Sequence, residues 1–176
     1  MPANEHGAGV HELVRRLGWR VRYVPHSVTE DYNACYRVAY KGTVIAPPAA
    51  ERLGIPLNEI WLSEKLRGYE DYVLFHEVRE IMYRYQGFSV EEAHLRARVD
   101  EALEFCGDPR WLKYFEEFPD STVPRECLQE LCNVQQRGVR EQETLYRLLL
   151  ECANRRRLGV SQHHNGRNSM DRADKT

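Results

Sequence analysis

Residues 75–101, FHEVREIMYRYQGFSVEEAHLRARVDE, contain two helical patterns joined by a short link with a glycine. Apolar side chains recur at the spacing of one helix face along the first pattern: Leu74, Val78, Ile81, Met82 and Tyr85. Gly87 follows them, and glycine is typical of a helix C-terminus because it adopts the left-handed backbone conformation without a steric cost. The spacing predicts a helix from about residue 70 to residue 86.

The second helix has a signature at its start. Ser89 and Glu92 stand three residues apart, as in a capping box, where each side chain accepts a hydrogen bond from the other residue's backbone N–H. The pattern continues to about Cys106 and ends at the Gly-Asp-Pro that follows. Because the link is short, the two helices are expected to be neighbours in space.

Five polar side chains on these helices have a spacing that favours a shared metal ion. Residues four apart project from one helix face, so His76 and Glu80 can reach the same ion. His94 would add a third ligand, which gives the two imidazoles and one carboxylate of many catalytic zinc sites, with one coordination position left for water. Glu101 is predicted either as a fourth ligand or as the acceptor for the other ring nitrogen of His94.

Glu77 has a different predicted role. It is displaced around the helix from His76, where it would touch a bound water rather than the metal. This is the geometry of the HExxH motif, in which two ligands flank a general base. The motif here is HExxE, and zinc accepts carboxylate oxygen as well as imidazole nitrogen. The carboxylate-rich ligand set leaves manganese and iron open as alternatives.

The two further glutamates also have ordinary structural explanations. Glu80 could form an ion pair with Arg84 one turn later, a surface arrangement worth a few tenths of a kcal/mol. Glu101 could instead pair with Arg98 or with Arg110. Either pairing would remove a carboxylate from the predicted ligand set.

The histidines and their neighbours leave alternatives of the same kind. His76 and His94 could be structural histidines with a polar partner. Arg79 could repel a dication electrostatically, or it could neutralise Glu77 and impair it as a base. Glu91 and His94 form an ExxH pair as in di-iron carboxylate bundles, but those sites need a second ExxH and further glutamates.

The segments before the first helix carry strand signals. WRVRYVP, CYRVAYKGTVIAPP and EIWLS contain alternating or short apolar runs, which predict a strand, a hairpin and a further strand. Residues 9–18 predict a short helix. The fold class expected is α+β.

The C-terminal part has no strand signal. Residues 109–159 predict three helices, which we interpret as a helical extension of the domain formed by residues 1–108. Residues 160–176 are polar and contain glycine, which predicts a disordered tail. The C-terminal helices are candidates for self-association or for docking a partner.

Composition limits the classes of partner. The chain has 176 residues, a hydrophobic share of 42%, a charged share of 30% and a formal net charge of −2. This balance gives no signal for nucleic-acid binding, and no apolar run approaches the ~20 residues of a membrane span. The N-terminal residues contain no hydrophobic signal region, which predicts a cytoplasmic protein. The five cysteines form no CxxC pair and are odd in number, so reduced thiols are expected.

The order of these motifs resembles a known group. A strand, EIWLSEKL, that leads into a helix beginning YVLFHEVRE is similar to the arrangement in zincin-type metallopeptidases. The segment HEVRE…GFSVEEAH…E resembles the divergent HExxE variants of small zincin-like domains. The resemblance covers roughly residues 35–105. It implies a minimal zincin-like domain, with a small mixed sheet packed on the HExxE helix and an edge strand that helps to hold extended substrate.

The resemblance also implies roles for single residues. His76, Glu80 and His94 would hold zinc, and Glu77 would act as the general base in the hydrolysis of a peptide or protein substrate. The alternatives are a non-catalytic metal-binding module with a structural or vestigial site and a metal-free protein-interaction module.

Overall fold

The computed structural model describes residues 5–29 and 32–165 and has an α+β fold. The chain divides into two compact units, unit 1 (Met1–Gly107) and unit 2 (Asp108–Thr176). This division falls one residue from the boundary that the sequence predicts. None of the helices among the described residues is long and apolar enough to cross a membrane.

Unit 1 contains a four-stranded mixed sheet with the strand order β1-β4-β2-β3. β1 pairs with β4 in parallel, whereas β2 pairs with β4 and β3 in antiparallel orientation. The strands are β1 (Arg20–Val24), β2 (Ala34–Tyr40), β3 (Thr43–Ile45) and β4 (Glu59–Ser63). β4 is therefore an interior strand. The edges of the sheet are β1 and β3, so an edge strand of the kind that the resemblance implies would be one of these.

The two faces of the sheet bury different side chains because residues alternate along each strand. The helices of unit 1 are α1 (Glu5–Arg16), α2 (Ala49–Leu53), α3 (Glu70–Tyr85) and α4 (Val90–Phe105). On β2, Tyr36 reaches a side chain of α3, while Cys35 belongs to an apolar cluster with Ala50 of α2 and Trp61 of β4. The candidate functional residues thus lie on the α3 side of the sheet.

The link between α3 and α4 forms as the sequence predicts. Gly87 has a φ of 99°, a left-handed conformation that favours glycine. Oγ of Ser89 accepts a hydrogen bond from the backbone N–H of Glu92 at 3.2 Å. The Glu92 side chain pairs with Arg96 one turn later, so only half of the predicted capping box is visible. This short link brings the two helices into close packing.

Unit 2 is helical, as predicted, and consists of α5 (Pro109–Glu117), α6 (Arg125–Gln136) and α7 (Gln142–Asn165). Its core contains aromatic and leucine side chains that are at most 2% exposed: Trp111, Tyr114, Phe115, Leu128, Leu131, Leu145 and Leu149. α7 extends into the segment that the sequence predicts to be disordered. Residues 166–176 of that segment lie outside the described residues.

A disulfide joins Cys127 of α6 to Cys152 of α7, with their Cα atoms 5.7 Å apart. The expectation of reduced thiols is therefore wrong for this pair. The spacing of 25 residues resembles no common motif, and only the packing of α6 against α7 brings the sulfur atoms together. Cys35 in unit 1 is a buried free thiol.

Candidate metal centre

Three candidate ligand atoms meet between α3 and α4. Nε2 of His76 lies 3.2 Å from Oε2 of Glu80 and 3.1 Å from Nδ1 of His94. Nδ1 of His94 lies 3.5 Å from the same glutamate oxygen, so the atoms form a nearly equilateral triangle. A tetrahedral zinc ion with bonds of about 2.0–2.2 Å separates its ligand atoms by about 3.3–3.6 Å. These three residues could therefore hold one metal ion.

The electron pairs of these atoms explain why a cation suits the site. Nδ1 of His76 lies 2.6 Å from Oε1 of Glu101, so the ring donates its Nδ1–H to that carboxylate. When the ring is neutral, Nε2 carries a lone pair and faces an oxygen of Glu80 that also carries lone pairs. In the metal-free protein the raised pKa of His76 places a proton between these two atoms. A single proton can join only one pair of the three atoms, whereas a metal ion can bind all three at once.

Glu101 supports His76 and is not one of the three grouped ligands. Its side chain is fully buried and accepts a second hydrogen bond, from Nη1 of Arg98 at 2.6 Å. The sequence predicted Glu101 as a fourth ligand or as a partner of His94, and the structure instead places it against Nδ1 of His76. Metal-binding histidines commonly donate their second N–H to a carboxylate, which fixes the orientation of the ring.

The electrostatics of the cluster move two pKa values in opposite directions. Burial and the nearby charge of Arg98 act to lower the pKa of His76, but Glu101 and the hydrogen bond to Glu80 outweigh them and raise it to about 9. Burial acts to raise the pKa of Glu80, but hydrogen bonds from His76 and His94 hold it well below its usual range. Glu80 is thus a carboxylate, ready to bind a cation.

Glu77 lies beside this triangle in a poorly solvated place. Its side chain is buried, and no hydrogen bond with another described residue holds its carboxylate. Burial and then the charge of Glu80 raise the pKa of Glu77 to about 8. An acid in such surroundings is suited to exchanging a proton near neutral pH.

Arg79 does not neutralise Glu77. Its Nε donates to Oδ2 of Asp100 at 3.0 Å, and the hydroxyl of Tyr83 donates to the same oxygen at 2.8 Å. The guanidinium also lies over the ring of Phe75. The charge of Arg79 is therefore paired with Asp100 on α4 and not with Glu77.

The alternative ion pair between Glu80 and Arg84 is not formed among the described residues. Nη1 of Arg84 is buried without a hydrogen-bond partner. Oε1 of Glu80 instead accepts a hydrogen bond from the hydroxyl of Tyr36 at 2.9 Å. Of the predicted structural pairings, the one between Glu101 and Arg98 is present, and it coexists with the histidine cluster.

Tyr36 and Arg98 belong to the site, although no motif in the sequence assigns either residue a role in metal binding. The alternation along CYRVAY puts Tyr36 on one face of β2, but only the packing of α3 on that face makes it a neighbour of Glu80. Arg98 follows His94 by four residues and could have been recognised as lying on the same face of α4.

The buried charges around the site cancel only when protons or a cation are added to them. Glu77, Glu80 and Glu101 are at most 8% exposed, and Arg98 is 7% exposed. Three carboxylates and one guanidinium leave a formal charge of −2 when both imidazoles are neutral. Burying uncompensated charge is costly. In the metal-free protein the raised pKa values of His76 and Glu77 place a proton on each residue, which balances this charge. A divalent cation would balance it in their place.

His94 is the most accessible member of the cluster, with 24% of its side chain exposed against 5% for His76 and 9% for Glu80. Solvent or a ligand would therefore approach the three atoms from the His94 side.

Comparisons of this chain with models of protein families, with curated proteins and with solved structures gave no match. The resemblance to zincins therefore stays a prediction.

Proposed function

We propose that this chain binds one divalent cation, with zinc as the first expectation, through Nε2 of His76, Oε2 of Glu80 and Nδ1 of His94. The observation that carries the proposal is the triangle of ligand atoms, whose edges of 3.1–3.5 Å agree with tetrahedral coordination. The three buried carboxylates are a second argument, because a divalent ion can replace the two protons that balance their charge in the metal-free protein. Manganese and iron are the alternatives that a carboxylate ligand allows.

We further propose that the centre hydrolyses peptide bonds as a minimal zincin-like domain. A divalent cation at this site would polarise a carbonyl group and lower the pKa of a water molecule to about 7. Glu77 then takes a proton from the attacking water as the water oxygen bonds to the carbonyl carbon. The same residue passes this proton to the leaving nitrogen as the C–N bond breaks.

The neighbouring residues keep Glu77 available for this role. Arg79 forms an ion pair with Asp100, so its charge does not neutralise the carboxylate of Glu77. Glu101 and Arg98 hold the His76 ring with Nε2 turned towards the ligand triangle. A peptide or protein is the expected substrate, and location in the cytoplasm remains a prediction that the Cys127–Cys152 disulfide does not favour.

A second candidate function is a non-catalytic metal-binding module, in which the cation is structural or vestigial. The burial of His76, Glu77 and Glu80 favours it, because a catalytic centre must admit substrate. The two candidates differ in one respect that can be measured. A structural centre has no role for Glu77 as a base.

Glu77→Gln tests the peptidase proposal, since glutamine has nearly the same shape and cannot take up the proton. We expect the purified variant to keep one equivalent of metal by elemental analysis and to lose hydrolysis of an unfolded protein substrate by at least 100-fold. Glu91→Gln is the matched control, because Glu91 is exposed on α4. Equal hydrolysis by wild type and Glu77→Gln would remove Glu77 from catalysis. Metal binding without hydrolysis in wild type would favour the structural centre.

A further inference from the structure

Tyr36 approaches the candidate centre from the sheet and gives the two oxygens of Glu80 different partners. Its hydroxyl donates a hydrogen bond to Oε1 at 2.9 Å. Oε2 of the same carboxylate lies 3.2 Å from His76 and 3.5 Å from His94. One oxygen therefore faces the ligand triangle, and the other is held by tyrosine.

We propose that Tyr36 is a positioning residue that keeps Glu80 as a one-oxygen ligand and thereby sets the coordination number of the bound cation. This inference rests on the metal site proposed above. A carboxylate can bind a cation through one oxygen or through both. With one oxygen, the protein supplies three ligand atoms and leaves a position for water. With both, the carboxylate takes up more of the coordination sphere, and larger cations that prefer more oxygen ligands bind better.

The sheet holds Tyr36 firmly enough for this role. The residue is 1% exposed and lies on β2, which pairs with β3 on one side and β4 on the other. Its register partner on β4 is Ile60, which is fully buried. A ring in this environment cannot follow Glu80 if the carboxylate rotates. Rotation of Glu80 would therefore break the hydrogen bond instead of moving the tyrosine.

The hydrogen bond also separates a positioning role from a catalytic one. A tyrosine hydroxyl has one proton to donate, and Tyr36 donates it to Glu80. That proton is not available to a substrate carbonyl in the same arrangement. Tyr36 thus acts on the chemistry only through the carboxylate that it orients.

Tyr36→Phe tests the inference, because it removes only the hydroxyl oxygen. The full chain is loaded with Co²⁺, whose visible absorption is strong in four-coordinate sites and weak in five- or six-coordinate sites. We expect a strong spectrum for wild type and a markedly weaker one for Tyr36→Phe. We also expect zinc affinity to fall about 10- to 100-fold, with a smaller loss for manganese.

Tyr83→Phe is the matched control. It removes a tyrosine hydroxyl that donates to a buried carboxylate, Asp100, at 2.8 Å, outside the three ligands. We expect its cobalt spectrum and zinc affinity to equal those of wild type, and far-UV circular dichroism verifies the fold of each variant.

The possible outcomes separate this inference from the metal site itself. Wild type that takes up neither cobalt nor zinc would overturn the site. Wild type that binds cobalt with a weak, high-coordinate spectrum would overturn the role of Tyr36 even without a variant. Identical strong spectra for wild type and Tyr36→Phe would overturn it as well, while the site would stand. An unchanged spectrum combined with a large fall in kcat would place Tyr36 on the reacting atoms instead.

Discussion

The two units of the chain bury different kinds of side chain. Among the described residues, unit 1 buries seven ionisable side chains on α3 and α4: His76, Glu77, Glu80, Arg96, Arg98, Asp100 and Glu101. Unit 2 buries one polar side chain, Gln135, in a core of aromatic and leucine side chains. A disulfide between Cys127 and Cys152 joins two of its helices. Stability alone does not require the first arrangement, because an apolar core is at least as stable as a charged one. The difference supports the metal site proposed above for α3 and α4.

His76→Ala should make the largest change, because it removes the central member of the ligand triangle. We expect stoichiometric metal to be lost, as measured by elemental analysis. A ligand present at 1,000 times its Kd stabilises a fold by about 4 kcal/mol, so a chelator should lower the Tm of wild type strongly and that of the variant little. A chelator effect of equal size on both proteins would place the metal elsewhere. Variants in the core of unit 2 should keep the metal.

Arg98→Met should have the next largest effect, because it leaves Glu101 as a buried carboxylate without its guanidinium. Removing one partner of a buried ion pair costs about 3–5 kcal/mol. Denaturant unfolding measures this loss. Arg96→Met is the control, since Arg96 is equally buried on the same helix but pairs with Glu92, whose side chain is 35% exposed. We expect the control to cost clearly less, because Glu92 can turn its carboxylate to solvent when its partner is removed, and equal losses would remove the special role of the Arg98–Glu101 pair.

The pH dependence of stability in the metal-free protein tests the buried charges of unit 1. The folded pKa of His76 is raised to about 9 and that of Glu77 to about 8, above their ordinary values of 6.5 and 4.5. The folded state therefore binds more protons than the unfolded state, and stability falls as pH rises. Where both groups contribute, between pH 6.5 and pH 8, the loss is roughly 3 kcal/mol.

Thermal unfolding at a series of pH values, with chelator and with zinc, measures this effect. We expect zinc to remove most of the pH dependence, because the cation supplies the charge that the two protons supply in its absence. A metal-free Tm that is constant from pH 6.5 to pH 8 would mean that the buried charge is compensated in another way.

The sequence predicted the elements of the fold better than the partners within the site. Helix periodicity and the capping serine placed α3 and α4 to within a residue, because those signals are local. The proximity of His76, Glu80 and His94 was also predictable, since it depends on one helical turn and one short link. The place of Glu101 was not, because rotation of α4 about its own axis decides whether it meets His94 or His76. Sheet order was equally inaccessible, because it depends on pairing between strands that are far apart in the chain.

The disulfide prediction failed for a related reason. The count and spacing of cysteines can reveal only motifs that are local in sequence. Cys127 and Cys152 meet because α6 and α7 pack side by side. Tertiary contacts between residues far apart in sequence leave no periodic signal. The hydrogen bond from Tyr36 to Glu80 is another contact of this kind.

Replacing both cysteines of this pair by alanine should destabilise unit 2 by about 3 kcal/mol, because closing a loop of this length restricts the unfolded chain. Denaturant unfolding gives the loss, and elemental analysis should give unchanged metal content. Cys35→Ala, which alters a free thiol in unit 1, is the control. Two reactive thiols at these positions in protein purified without reductant would show that the bond does not form.

The smallest effect is expected from the helix caps, where each unit offers one comparable variant. Ser89→Ala removes the acceptor for the backbone N–H of Glu92 in α4, and Asp108→Ala removes the acceptor for that of Arg110 in α5. Each loss should cost about 1 kcal/mol. The cap of α4 stands five residues before His94, so fraying there should also weaken zinc binding several-fold, as measured by competition with a chelating dye. The cap of α5 should change stability alone. Equal zinc affinity in both variants would mean that packing against α3, and not the helix start, fixes the third ligand.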